Sequence, residues 1–211
     1  MSHHRTNIYF SLLIHLSLLS LSRTQSSDGD PCPNVVERSR WGARPWRNVN
    51  YLVTPLLHVV VHHTQTPDCD RSDECADLVK SIQNYHMNDL KLDDIGYSFL
   101  IGGDGNVYEG AGWYNEGKHT RGYDRKSVSL AFIGNFQKAF RNSTMGITID
   151  KNPSEKSLKA AHDLVACGKR QGFLRQNVKV YGARQIINTD SPGNKLFARI
   201  KNWPEWSEIH S

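Results

Sequence analysis

The sequence predicts an α/β domain in which a mixed central β-sheet is flanked by three main helices. Leu57-His58-Val59-Val60-Val61-His62 is a β-branched apolar run of strand length. Asp73–Leu90, Ser154–Gly172 and Lys195–Trp203 read as helices. Strand-like and helix-like segments alternate, a pattern that packs helices onto a sheet.

The elements follow in order. Residues 27–40 are polar and form an extended lead-in, and a loop with Pro67 and Cys69 follows the first strand. In the next helix Cys75, Val79, Ile82 and His86 fall on one face, so His86 points with the core residues near the helix end. Tyr97–Ile101 and Asn106–Glu109 flank Gly102-Gly103-Asp104-Gly105, which is a hairpin signal. Ser127–Gly134 is a second buried strand. The helix from Ser154 has a serine cap after Pro153 and stops at Gly172. Val178–Tyr181 is a short strand before the last helix.

Residues 1–26 stand apart. Arg5, a short apolar core over Ile8–Leu21 and small residues over Ser22–Ser26 make a secretory signal. The apolar run is shorter than the ~20 residues a bilayer needs, so a secreted, extracellular chain with no membrane insertion is expected. The remaining residues 27–211 suit one domain with one sizeable core. Loss of Arg5 and Arg23 takes the formal charge from +5 to +3. That mild excess lacks the clustered basic stripe of a nucleic-acid binder.

Cys32, Cys69, Cys75 and Cys167 all lie in the mature part, and an even count in a secreted chain argues for disulfides over metal thiolates. Cys69 and Cys75 are near enough to bridge locally, leaving Cys32 with Cys167, one of the three pairings four cysteines allow. Asn142-Ser143-Thr144 is a glycosylation sequon in a stretch that reads as an exposed loop.

The histidines bound the chemistry. Along a strand His58 and His62 share a face, yet they lie roughly 13 Å apart and cannot hold one metal. His62 and His63 point to opposite faces. A hydrolytic zinc needs about three protein ligands, while Gly182-Ala183-Arg184 and Asp190-Ser191-Pro192-Gly193 offer neither histidine nor cysteine. His86, His119, His162 and His210 are the remaining mature histidines. His162 suits a structural role in its helix, and His210 sits in a tail. His119 lies in a glycine-bounded polar loop after Trp113 and Tyr114, whose rings suit sugar or peptide recognition.

These pieces coincide with a family. Trp41-Gly42-Ala43, Val60-Val61-His62-His63-Thr64, Ile82-Gln83-Asn84-Tyr85-His86-Met87, Asp94–Gly102, Val107-Tyr108-Glu109-Gly110, His119-Thr120 and Ala131–Phe136 together resemble the peptidoglycan recognition proteins. The likeness runs from about residue 32 to about 206 with the motifs in order. It implies a type-2 N-acetylmuramoyl-L-alanine amidase-like fold. The short form and Ser191 resemble the insect class that senses bacteria upstream of Toll signalling.

The resemblance also implies a ligand set. In enzymatic members zinc is held at the positions of His62, Ala183 and Ser191, so one ligand of three is retained here and no metal, cofactor or amidase activity is expected. Tyr97 matches the family's catalytic tyrosine. The groove is implied to contact bacterial muropeptides through His63, Thr64, His86, Tyr97 and His119, and the aromatic composition of the loop adds Trp113 as a binding residue. Asp124 stands where asparagine is frequent, and an ionised carboxylate only accepts hydrogen bonds. Members preferring diaminopimelate carry arginine in place of Ala111 and Gly-Trp in place of Lys91-Leu92. Both differences favour a lysine-type stem, although Lys91 offers a point charge to a second carboxylate. Lacking a signalling domain, such a receptor would act through partners in an extracellular protease cascade. Two enzyme readings compete with it. One makes Ser191 a nucleophile on the stem peptide, for which no adjacent base is visible in sequence, and the other recruits His119 or His86 to zinc.

Overall fold

The computed structural model describes residues 32–137, 140–142, 147–149 and 151–209. The expected signal segment, His210 and the Ser143-Thr144 part of the sequon lie outside the described residues. In chain order the elements are β1 (Val35–Val36), β2 (Leu56–His63), α1 (Ser72–Asn88), β3 (Phe99–Ile101), β4 (Val107–Glu109), β5 (Ser127–Phe132), β6 (Phe140–Asn142), β7 (Ile147–Ile149), α2 (Glu155–Arg170), β8 (Leu174–Gly182) and α3 (Asn194–Ile200).

Six strands form one sheet in the order β1-β4-β3-β5-β2-β8. Only β3 and β4 pair antiparallel, as the hairpin between them requires; the other pairs are parallel, so the sheet is mixed. One face packs against α2 and α3 through Val59, Val61, Val128, Leu130, Leu164 and Leu196. The opposite face packs against α1 through Val79, Ile82, Leu100 and Ala131. Val59, Val60 and Val61 are fully buried, each contributing about 1.5–3 kcal/mol by leaving water. Pleating then sends His62 to one face and His63 to the other.

Several segments differ from expectation. β8 begins at Leu174, four residues early, because this edge strand exposes Arg175, Gln176 and Asn177 and needs no apolar alternation there. α3 stops at Ile200, and Trp203 follows in a turn, its N–H donating to the Ile200 carbonyl. The sequon's Asn142 ends strand β6, which pairs with β7 in a separate two-stranded ribbon; the polar composition suggested a loop because it hides this pairing. Ser154 caps α2 as expected, accepting from the Ser157 N–H.

The disulfides are Cys32–Cys167 and Cys69–Cys75. The first ties the lead-in to α2, the second fixes the loop entering α1.

Candidate functional site

β2 ends in a cleft. Its His62 ring lies 5.6 Å from Tyr97 and 5.8 Å from His119, and Tyr97 lies 5.4 Å from His86, measured between centroids. Four residues from four segments thus meet: the end of β2, the last turn of α1, the segment entering β3, and the loop before β5.

A polar chain runs through this cluster. The His63 N–H donates to Ser191 Oγ at 3.1 Å, and Ser191 Oγ lies 3.4 Å from His62 Nδ1. His62 Nε2 lies 2.8 Å from Thr120 Oγ1, which lies 3.0 Å from His119 Nδ1. Each hydroxyl both donates and accepts, so the protons can run in either sense. Thr120 is 1% exposed and joins the two imidazoles. In the sequence it stands beside His119 with no role to be read from it, since a lone threonine carries no distinctive signal.

The outer histidines have defined tautomers. The Phe136 N–H donates to His63 Nδ1 and the Gly96 N–H to His86 Nδ1, so each neutral ring carries its proton on Nε2. Burial, with the Arg184 cation assisting, lowers His63 to about 4. Burial also lowers His119 to about 4, against the pull of Asp124, and lowers His86. Burial holds His62 well below the usual imidazole range, and pushes the Tyr97 hydroxyl up to about 12. The cleft therefore presents neutral donors near pH 7. His63 Nε2 is buried without a hydrogen-bond partner.

Asp124 clamps the loop. Its Oδ1 accepts from the His119 and Thr120 N–H groups at 3.0 and 2.7 Å. Both bonds need only an acceptor, so a carboxylate serves where an amide oxygen would. Thr64 is likewise committed: its Oγ1 lies 2.7 Å from Thr66 Oγ1 and accepts from the Gly134 N–H.

Ala183 and Ser191 complete the base of the cleft. Val61 pairs with Gly182, which sets Ala183 beside His62, and Ala183 is fully buried. The loop carrying Ser191 is braced by Arg184, whose backbone N–H donates to the Ser191 carbonyl and whose guanidinium donates to Asn194 and the Asp190 carbonyl. Gly193, with φ of +87°, closes that loop where a Cβ would lie 2.4 Å from the Phe136 carbonyl carbon. Among the described residues no three His, Cys, Asp or Glu side chains converge as a metal site. A methyl group and a hydroxyl that accepts a backbone N–H are a poor donor set for zinc.

Two expected positions are engaged differently. Trp113 does not line the cleft: it stacks on Phe173 at 5.0 Å and lies 4.6 Å from Phe99, half-buried against the core on the α2 side. An aromatic residue in a loop can bury toward either layer, and here the apolar side wins. Lys91 is exposed and adopts φ of +59°, with Nζ donating to the Asn88 carbonyl at 2.6 Å, so its charge caps α1 instead of standing free. His162 lies on α2 with Nε2 3.3 Å from Glu205, in keeping with the structural role expected of it. Ala111 and Leu92 lie nearer: Ala111 is buried and lines a pocket with Gly96, Asp93, Asp94, Glu116 and Lys118, while Leu92 packs close to Gly96.

Comparison with known proteins agrees with this architecture. Residues 52–194 match the family model described as N-acetylmuramoyl-L-alanine amidase. Peptidoglycan-recognition protein 2 of Holotrichia diomphalia is 44% identical over 172 residues, covering 82% of this chain and 86% of the relative. Peptidoglycan-recognition protein SA of Drosophila melanogaster is 40% identical over 195 residues, covering 92% and 90%. The bumblebee PGRP-SA structure superposes with a TM-score of 0.78 at 48% identity, covering 85% of this chain and all of that one. By motif order, sheet topology and these matches, the chain belongs to the peptidoglycan-recognition proteins, built on the type-2 N-acetylmuramoyl-L-alanine amidase fold.

Proposed function

We propose that this protein is a secreted receptor that binds bacterial peptidoglycan in the cleft without hydrolysing it through zinc. The observation that carries this reading is the donor set at the end of β2, where Ala183 and Ser191 accompany His62. A metal held by one imidazole has no stable site. What remains is a set of hydrogen-bonding groups for recognition. His63, His86 and His119 are neutral and Tyr97 keeps its proton, a set suited to the carbonyls of a muropeptide. A relative, peptidoglycan recognition protein-LE, has been solved with tracheal cytotoxin, a monomeric diaminopimelic acid-type peptidoglycan.

A lysine-type stem fits this chain better. Ala111 supplies no guanidinium, and Lys91 is engaged with the Asn88 carbonyl. In the pocket beside Ala111, Asp94 is paired with Arg38 and Glu116 with Lys118 and Arg125, which leaves the Asp93 carboxylate to meet an ε-ammonium. Binding would then be passed to partners of an extracellular protease cascade in innate immune signalling of the Toll type. The N-terminal signal sequence and the paired cysteines support secretion, and no helix among the described residues is long and apolar enough to cross a membrane.

The test is calorimetric titration with lysine-type and diaminopimelate-type muramyl pentapeptides, zinc present throughout. A saturable heat at least tenfold tighter for the lysine form is expected. A heat that never settles means turnover and overturns the receptor reading; preference for diaminopimelate overturns only the specificity.

One observation favours a second reading. The fold brings His62 Nδ1 to 3.4 Å from Ser191 Oγ, supplying the base that the neighbouring sequence lacks. The ring is oriented by the Thr120 hydroxyl instead of a carboxylate, a weaker activation than a full triad. If Ser191 cleaves stem peptides, Ser191→Ala must abolish the cleavage products; an unchanged product profile eliminates it.

A further inference from the structure

The opposite end of β2 carries a second concentration of polar chemistry. His58 pairs with Ser127 of β5 and with Lys179 of β8, and Lys126 directly precedes Ser127. Three adjacent strands thus bring two ammonium groups to the two sides of one imidazole. Tyr123 meets the His58 ring edge-on at 5.3 Å and Tyr181 lies 5.7 Å away. Lys126 Nζ sits 4.1 Å from the centre of the Tyr123 ring. Arg175 reaches the same end of the strand, its Nε donating to the Pro55 carbonyl.

Two features set this niche apart from an ordinary solvated face. Among the described residues, Lys126, Lys179 and Arg175 share no ion pair with a carboxylate, and the charges acting on His58 are all cations. His58 Nδ1 is buried with no hydrogen-bond partner. His58 Nδ1 thus has an unmet hydrogen bond, while three exposed cations of one sign stand around its ring with no carboxylate among them.

We propose that His58, Tyr123, Tyr181, Lys126, Lys179 and Arg175 form an oxyanion site for a phosphate group, borne by the same wall polymer whose muropeptide fills the cleft. The part concerning the polymer rests on the receptor reading above. The chemistry matches: ammonium and guanidinium groups give charge-assisted bonds to phosphate oxygens, and phenol hydroxyls add neutral donors. The rings lower the local dielectric and sharpen the field. His58 and His62 share a sheet face roughly 13 Å apart, so one polymer can span both sites and gain avidity.

The first experiment titrates the mature protein with inorganic phosphate at low ionic strength while following histidine side-chain resonances. The His58 signals should move saturably and its pKa should rise, since an anion favours the imidazolium; those of His63 and His86 should not respond. The Lys126→Ala/Lys179→Ala double variant should weaken the effect at least tenfold, and the Lys126→Arg/Lys179→Arg pair should preserve it. An unresponsive His58, or a double alanine variant that titrates like the parent, overturns the site.

The second arm compares wall polymer before and after enzymatic dephosphorylation. Dephosphorylation should weaken binding of the parent severalfold and leave the double alanine variant unaffected. If inorganic phosphate saturates His58 while dephosphorylation changes nothing, the wall-borne source is overturned. Muropeptide affinity, measured separately, should be equal in both proteins. Failure of the parent to bind any muropeptide sinks the receptor reading and leaves the phosphate titration standing.

Discussion

At the carboxyl end of β2, His62 and His63 are 4% and 3% exposed and hydrogen-bonded to Ser191, Thr120 and Phe136. Four residues back along the strand, His58 is half-buried between two tyrosine rings and faces cations. One strand therefore holds the same residue type in a closed polar cluster and in an open basic niche. In the cluster the bonded groups depend on one another for satisfaction, so damage there spreads. In the niche the groups depend on solvent or ligand, so damage should touch binding while stability stays.

Acidification should produce the largest contrast. His63 and His119 have folded values of about 4 against 6.5 when unfolded. Their pKa values are depressed, so the stability they contribute is present above pH 6.5 and is lost as pH falls toward 4. Each is worth roughly 3 kcal/mol over that window. Chemical denaturation at pH 7, 5.5 and 4.5 should show stability dropping by several kcal/mol. A flat profile would mean the cluster opens without cost.

Substitution at single sites divides the two ends more finely. Thr120→Val keeps shape but strips the hydroxyl between His62 and His119. Two buried nitrogens lose a partner, for about 2–6 kcal/mol of stability at 1–3 kcal/mol each. Lys126→Ala, at the open end, should stay within about 0.5 kcal/mol. Equal losses in urea titrations of the two variants would erase the distinction.

Asp124 sharpens it again, with a smaller effect. Its carboxylate only accepts, from the His119 and Thr120 N–H groups. Asp124→Asn keeps an acceptor oxygen and should cost less than about 1 kcal/mol, whereas Asp124→Ala leaves both donors without it and should cost about 2 kcal/mol. Parallel thermal melts of the two variants decide it: similar losses would show that the negative charge, not the accepting oxygen, holds the loop.

The same division explains what could be read in advance. β2 and β5 were legible because buried parallel strands are near-continuous apolar runs, and α2 because Ser154 and Gly172 mark its ends. His62, Ala183 and Ser191 were matched through motif order, and parallel pairing of β2 with β8 brings the first two together. Illegible were contacts that only long-range packing creates: Thr120 as a bridge, Arg184 as a brace, and His62 placed at Ser191, 129 residues away in sequence. Trp113 was misassigned because loop composition does not say which layer an aromatic ring enters. The open end of β2 had no signal either, since Lys126, Arg175 and Lys179 are separated in sequence and converge only across the sheet.

Lys91 offers the finest test, at the margin of the cleft. Its φ of +59° is a conformation that costs a residue with a Cβ roughly 1–2 kcal/mol relative to the right-handed region, and glycine adopts it freely. Against that gain, Lys91→Gly loses the bond from Nζ to the Asn88 carbonyl and the charge at the carboxyl end of α1, a contribution of about 0.3–1 kcal/mol, and frees the unfolded backbone. The terms nearly cancel, so denaturation should place the variant within about 0.5 kcal/mol of the parent. Ligand choice should respond differently. If the ammonium is committed to the helix, removing it leaves the ratio of lysine-type to diaminopimelate-type affinity within about twofold. A preference for the lysine form that strengthens fivefold or more would show that Lys91 leaves the helix to meet the second carboxylate, and the closed cluster would then extend past His86 to include it.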